Sequence, residues 1–83
     1  MQETLERVNE VFREVFDNED LSVTGETTAK DVEGWDSLMH VTLIIHIEKA
    51  FAVRFTPSEI AGLKNVADLI QLIERHRSST RAS

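Results

Sequence analysis

The residues best suited to chemistry are Asp36, Ser37 and His40, which stand together in the stretch GWDSLMH at positions 34–40. They include the three side-chain types of a hydrolytic triad, but a single helical turn cannot orient the histidine from the third direction that a triad needs. Ser37 falls in the first turn of a predicted helix, where backbone N–H groups and the helix dipole stabilise an anionic ester. A serine at this position more often caps the helix or contacts solvent. Position alone therefore does not decide between these roles and the attachment of an anionic ester.

The sequence offers no thiol and no recognisable metal site. Cysteine is absent, which excludes disulfides and thiolate zinc sites, and any thioester chemistry needs an imported thiol. His40, His46 and His76 lack the spacing of metal ligands, and we expect them at the surface or at the edge of the core. The acidic run DNED at 17–20 lacks the glycine and the final glutamate of an EF-hand loop. We therefore predict no bound metal.

Length and charge limit the possible partners. Eighty-three residues make one small domain, and the net charge of -6 argues against a nucleic-acid or anionic-membrane surface. The charge is uneven, because residues 1–36 carry eleven acidic and three basic groups (-8) and residues 37–83 carry four and six (+2). No apolar run reaches transmembrane length, and the stretch MQETLERVNE lacks the apolar core of a signal peptide. We expect a cytoplasmic protein that acts as a monomer.

Hydrophobic periodicity predicts an all-α fold, a small helical bundle with three longer helices and one short helix. The predicted helices cover about 3–16, 37–51, the TPSEI stretch at 56–60, and 66–77. Residues 17–33 form a long loop between the first two helices. A loop of this length is unusual in so small a domain and suggests a functional role. We assign residues 1–78 to one domain and expect residues 79–83 to be a flexible tail.

Capping signals support these boundaries. Asp36 is placed to accept backbone N–H bonds at the start of the second helix. Thr56, Pro57 and Glu59 have the order of an N-cap, a first helical residue and the glutamate that closes a capping box. Asn65 is placed to cap the last helix, so three of the four helices have a predicted start.

The second helix has more apolar residues than one buried face can use. A helical wheel gives it a broad face that is expected to join the core, formed by Leu43, Ile44, Ile47 and Phe51. A second stripe lies roughly opposite, formed by Leu38, Val41 and Ile45. This apolar stripe is either covered by the long loop or exposed for a partner.

Several stretches taken together resemble the acyl carrier protein family. They are GWDSL at 34–38, an apolar helix that ends in IEKAF, the short TPSEI helix and a final NVADLIQLI helix, and the similarity spans about Leu5 to Arg77. The family centres on an Asp-Ser-Leu motif at the start of its second helix. DSL alone is a weak signal, but DSL with this helix order, spacing, size and acidity is specific.

The resemblance implies that Ser37 is the attachment site of 4'-phosphopantetheine, which a phosphopantetheinyl transferase moves from coenzyme A onto the serine hydroxyl. The arm ends in the thiol that this chain lacks, and acyl groups are held on it as thioesters for acyl-loading and acyl-processing enzymes. The resemblance therefore implies a carrier for fatty-acid, polyketide or related specialised biosynthesis, and not an enzyme.

The family pattern also implies roles for residues around Ser37. Asp36 matches the aspartate that helps to place the serine in the transferase site. Positions touched by partner enzymes match Leu38, Val41 and Ile45, with Glu48 as an acidic residue beside that face. For a hydrocarbon cargo we expect a cleft between the last three helices, lined by Leu43, Ile44, Ile47, Phe51, Ile60, Val66, Leu69 and Ile73.

The second helix departs from carriers of primary fatty-acid synthesis, in which this helix is strongly acidic. Between Ser37 and Phe51 the only formal charges are Glu48 and Lys49. Apolar contact should therefore contribute more of partner recognition than charge. This departure favours a dedicated carrier of a specialised pathway, as does Trp35 in the GWDSL stretch.

Two other functions remain open at this point. An aminoacyl or peptidyl carrier loaded by an adenylating enzyme has the same DSL motif. A helical interaction module that never receives the arm is disfavoured by Asp36 and Ser37. Incubation with coenzyme A and a broad transferase separates the last function from the other two, and neighbouring genes separate the two carriers.

Overall fold

The computed structural model describes residues 2–82, with the side chains of residues 3–77. Within these residues four helices follow one another, α1 (Gln2–Val15), α2 (Ser37–Phe51), α3 (Pro57–Ala61) and α4 (Val66–Ala82), and no strand is present. The predicted all-α fold, with three longer helices and one short helix, is confirmed. α4 extends to Ala82, past the predicted end of the last helix at about residue 77. The side chains of 78–82 and the whole of residue 83 lie outside the described part, and the flexible tail at 79–83 stays a prediction.

One apolar core holds the helices together. α1 packs against both α2 and α4, and the largest fully buried side chains are Phe12, Leu43, Ile47, Leu69 and Ile73. Leu43 and Ile47 are four residues apart on α2, as are Leu69 and Ile73 on α4, so each pair lies on one face of its helix. The core therefore forms where the helical spacing of apolar residues predicts it.

Local signals set both ends of α2. The Asp36 side chain accepts a hydrogen bond from the Met39 backbone N–H at 2.9 Å, which makes Asp36 the N-cap and Ser37 the first helical residue. At the other end Ala52 adopts the left-handed conformation, with φ 55° and ψ 47°, and its N–H donates to the Glu48 carbonyl. Both predicted ends of α2 are confirmed.

Caps also start α3 and α4 where the sequence predicts them. The Thr56 hydroxyl accepts the Glu59 N–H at 3.2 Å, and the Glu59 carboxylate accepts the Thr56 N–H at 2.9 Å. The Asn65 side chain accepts the Asp68 N–H at 2.9 Å. These bonds supply acceptors for N–H groups that a helix start leaves unpaired.

The long loop between α1 and α2 is hydrogen-bonded to α1 and to the start of α4. Asn9 on α1 is buried, and its side chain accepts the Val23 N–H at 2.6 Å and donates to the Val23 carbonyl at 3.1 Å. Farther along, the carbonyl of Thr27 accepts the N–H of Val66 at the start of α4, at 2.9 Å. The loop is therefore anchored, and it delivers the residues before Ser37 to a defined place.

Candidate functional site

Ser37 lies at the start of α2 with its side chain exposed. The cap formed by Asp36 fixes the first turn, so the serine hydroxyl projects from a rigid element. The first N–H groups of any α-helix have no acceptor within the helix, and together with the helix dipole they favour an anion. The structure thus combines an accessible hydroxyl with an environment that suits a phosphate ester.

A sharp turn at Gly34 directs the next residue toward the protein. Gly34 has φ 89°, a conformation that glycine adopts without strain, and its carbonyl accepts the Asp36 N–H at 3.0 Å. Trp35 is half-buried, with its ring edge-on to Phe12 at 5.2 Å between centroids and tilted against Phe16 at 6.4 Å. Trp35 therefore covers the aromatic part of the core from the loop side.

Trp35 also contacts a histidine of α2. Its indole N–H donates to His40 Nδ1 at 3.1 Å, and the two rings stack with 6.0 Å between centroids and 20° between planes. The expectation that His40 lies at the edge of the core is confirmed, since the side chain is half-buried. The bond to Trp35 was not predicted. The helical wheel places His40 on the core side of α2, and this position was the signal in the sequence that its side chain faces inward.

A cleft of about 640 Å³ opens beside Ser37. This volume lies within the range of about 300–1,000 Å³ that is typical of small-molecule sites. Loop, α2, α3 and the start of α4 all contribute to the lining, which consists of Ala29, Trp35, Asp36, Ser37, His40, Pro57, Ile60, Ala61, Leu63, Lys64, Asn65 and Leu69. The lining is mostly apolar, and Asp36 and His40 are among its polar residues.

The predicted lining of the cleft is largely wrong. Only Ile60 and Leu69 of the predicted set line it. The other members are not among its lining residues, and those with no exposed surface are packed in the core: Leu43, Ile47, Val66 and Ile73. The reason is that helical periodicity identifies inward faces but does not tell which part of an inward face meets another helix and which part meets a gap.

The apolar stripe on α2 is exposed. Leu38 has 75% of its surface accessible, Val41 has 54% and Ile45 has 45%. They are the large apolar side chains with substantial exposure among the described residues. The long loop therefore does not cover this stripe, and α2 presents an apolar surface that begins next to Ser37.

Glu48, which we expected beside the apolar stripe, has a structural contact of its own. Its carboxylate accepts the backbone N–H of Phe55 at 2.8 Å, and the side chain is half-buried. The bond fixes the segment between α2 and α3. A contact with partner proteins stays a prediction for Glu48, and it would have to be compatible with this bond.

Two kinds of feature are absent from the described residues. None of the groups of histidine, aspartate and glutamate in this part of the chain could hold a metal ion. No helix within the described range has the length and apolarity required to cross a membrane.

Comparisons with known proteins agree with this geometry. A family model described as the phosphopantetheine attachment site matches residues 6–73. The chain is similar to the holo acyl carrier protein from Geobacter metallireducens, solved by solution NMR, with 37% sequence identity and a TM-score of 0.89. The match covers 95% of this chain and 91% of that one. The chain therefore belongs to the acyl carrier protein family and is a carrier with a covalently attached phosphopantetheine, not an enzyme.

Proposed function

We propose that Ser37 bears the phosphopantetheine arm, and that the protein holds acyl intermediates for the enzymes of one specialised pathway. The observation that supports this most directly is the exposed Ser37 hydroxyl at the start of α2, beside the cleft. When bound, the arm supplies the thiol that the cysteine-free chain lacks. The Ser37 oxygen forms a phosphodiester with the phosphopantetheine part of coenzyme A, the nucleotide part leaves, and the transferase takes the serine proton.

The residues around Ser37 fit such an arm. Asp36 holds the first turn through the Met39 N–H, which keeps the serine in a fixed orientation for the transferase. The N-terminal end of α2 stabilises the negative phosphodiester. The neighbouring cleft has room for the far end of the arm or for its cargo.

Mass spectrometry of the intact protein tests the attachment site. The unmodified protein is incubated with coenzyme A and a broad-specificity transferase, and the wild type should gain the mass of one phosphopantetheine group. Ser37→Ala should gain none. Ser58→Ala is the matched control because Ser58 is also exposed and lies in the first turn of a helix, α3. Modification of Ser37→Ala would assign the arm to another residue.

The low charge of α2 supports recognition through the apolar stripe. Of the two formal charges on this helix, Glu48 is bonded to the Phe55 N–H. Attraction between charges at surfaces is screened by salt, whereas apolar contact is not weakened in this way. The rate of arm transfer should therefore depend little on salt concentration, and a steep fall with added salt would favour electrostatic recognition instead.

The mostly apolar lining of the cleft favours an apolar cargo over an amino acid. Each methylene removed from water contributes up to about 0.8 kcal/mol. An octanoyl load should therefore raise the melting temperature (Tm) above that of the protein with the arm alone, and an acetyl load should not. Equal Tm values for all three forms would mean that the chain stays in solvent, which would favour the aminoacyl or peptidyl carrier.

A further inference from the structure

Trp35 and His40 form one wall of the cleft next to Ser37. Both residues line the cleft, and Ile60, Leu63 and Leu69 line it from α3, its connection to α4, and α4. The wall is anchored at its back, because Trp35 meets the fully buried ring of Phe12 edge-on. It is held at its front by the bond from the indole N–H to His40 Nδ1.

The bond requires a specific state of the histidine. Nδ1 accepts a hydrogen bond from the Trp35 indole N–H, so the His40 imidazole has to be neutral with its own proton on Nε2. A protonated imidazole carries hydrogen on both nitrogens and offers no acceptor. The half-buried indole N–H would then lose its hydrogen-bond partner, and a conformation in which it bonds to water would become more favourable.

We propose that His40 is a positioning residue for the acyl cleft. By accepting the Trp35 N–H it holds the indole as the wall against which cargo attached through Ser37 packs, and so it influences which acyl groups the cleft retains. This rests on the proposed use of the cleft for cargo.

Two substitutions at His40 separate the effect of its hydrogen-bond acceptor from the effect of its side-chain volume. His40→Asn places an amide oxygen near the position of Nδ1, so it keeps an acceptor for the indole N–H. His40→Leu fills similar space without an acceptor. His46→Asn is the matched control, since His46 is half-buried on the same helix and about 9 Å farther along its axis.

The first readout needs no arm and no cargo. Trp35 is the single tryptophan of the chain, so its fluorescence and the NMR signal of its indole N–H report on the wall alone. The emission maximum and the N–H signal of His46→Asn and of His40→Asn should stay close to those of the wild type. His40→Leu should emit at longer wavelength and its N–H signal should move, because the indole N–H has lost its acceptor. Identical behaviour of all four proteins would overturn the proposal.

The second readout is the rise in Tm when octanoyl is added to the arm. We expect the same rise in the wild type, in His46→Asn and in His40→Asn, and a smaller rise in His40→Leu. An equal rise in all four proteins would overturn the positioning role and leave the cargo cleft intact. No rise in the wild type would overturn the cargo cleft itself, and the positioning role with it.

Discussion

His76 on α4 lies 3.0 Å from the carboxylate of Glu59 on α3, measured from its Nε2 atom. The same carboxylate closes the capping box with the Thr56 N–H. That backbone N–H is the main reason why the pKa of Glu59 lies below its ordinary value of 4.5; desolvation opposes the effect, and the His76 imidazole lowers the pKa further. One carboxylate thus both caps α3, the shortest helix, and connects it to α4. The next residue, Ile60, lines the cleft.

This lowered pKa predicts a loss of stability in acid. A carboxylate with a lowered pKa stabilises the fold above its ordinary pKa, and the contribution disappears as the pH falls through the lowered value. Glu59→Gln keeps an oxygen for the Thr56 N–H but removes the charge next to His76. Thermal melts should show the wild type above the variant near neutral pH and the two converging in acid. Glu6→Gln, at an exposed position of α1, is the control, and a gap that stays constant in acid would contradict the prediction.

Charged substitutions on α2 should distinguish the apolar stripe from the core. Val41→Glu should change the free energy of unfolding by no more than about 0.5 kcal/mol, because Val41 is 54% exposed. Ile47→Glu should cost more than about 4 kcal/mol, because the carboxylate would be buried without a partner. Val41→Glu should also slow arm transfer at unchanged Tm. If both variants melt equally early, the stripe belongs to the core.

Removing the Glu48 carboxylate should destabilise the turn after α2. Glu48→Ala leaves the N–H of Phe55 without its acceptor, and Phe55 is buried, so we expect a loss of about 1–3 kcal/mol in unfolding free energy. Glu48→Gln retains an acceptor oxygen and should lose less than half of that. Chemical denaturation measures both values. A loss of transfer rate in Glu48→Gln at wild-type stability would support a direct contact with partners as well.

Asn9 should be necessary for anchoring the long loop. Asn9→Ala removes the acceptor of the Val23 N–H and the donor to the Val23 carbonyl, both in buried surroundings. We expect the free energy of unfolding to fall by about 1–3 kcal/mol for each group left unpaired. Asn18→Ala, at an exposed position of the same loop, removes the acceptor of the Asp20 N–H and should cost about 0.5–1.5 kcal/mol, less than Asn9→Ala. Faster hydrogen exchange of the loop amides in Asn9→Ala would locate the effect.

The sequence by itself was sufficient to predict the four helices and the residues at which α2, α3 and α4 begin. Asp36, Thr56 with Glu59, and Asn65 each cap a helix through bonds to a residue three positions away. Such bonds depend on local conformation alone, so residue type and spacing predict them. The second apolar stripe follows from the same regular geometry of one helix, whereas its exposure depends on where the long loop runs.

Only the tertiary structure decided which side chains meet across elements. The bonds from Trp35 to His40, from Glu48 to Phe55 and from Asn9 to Val23 join residues whose distance depends on how the loops run between the helices. The cleft has the same origin. A wheel shows that a residue faces inward, but whether it fills the core or lines a gap depends on where the neighbouring helix lies, and helical periodicity carries no information about that.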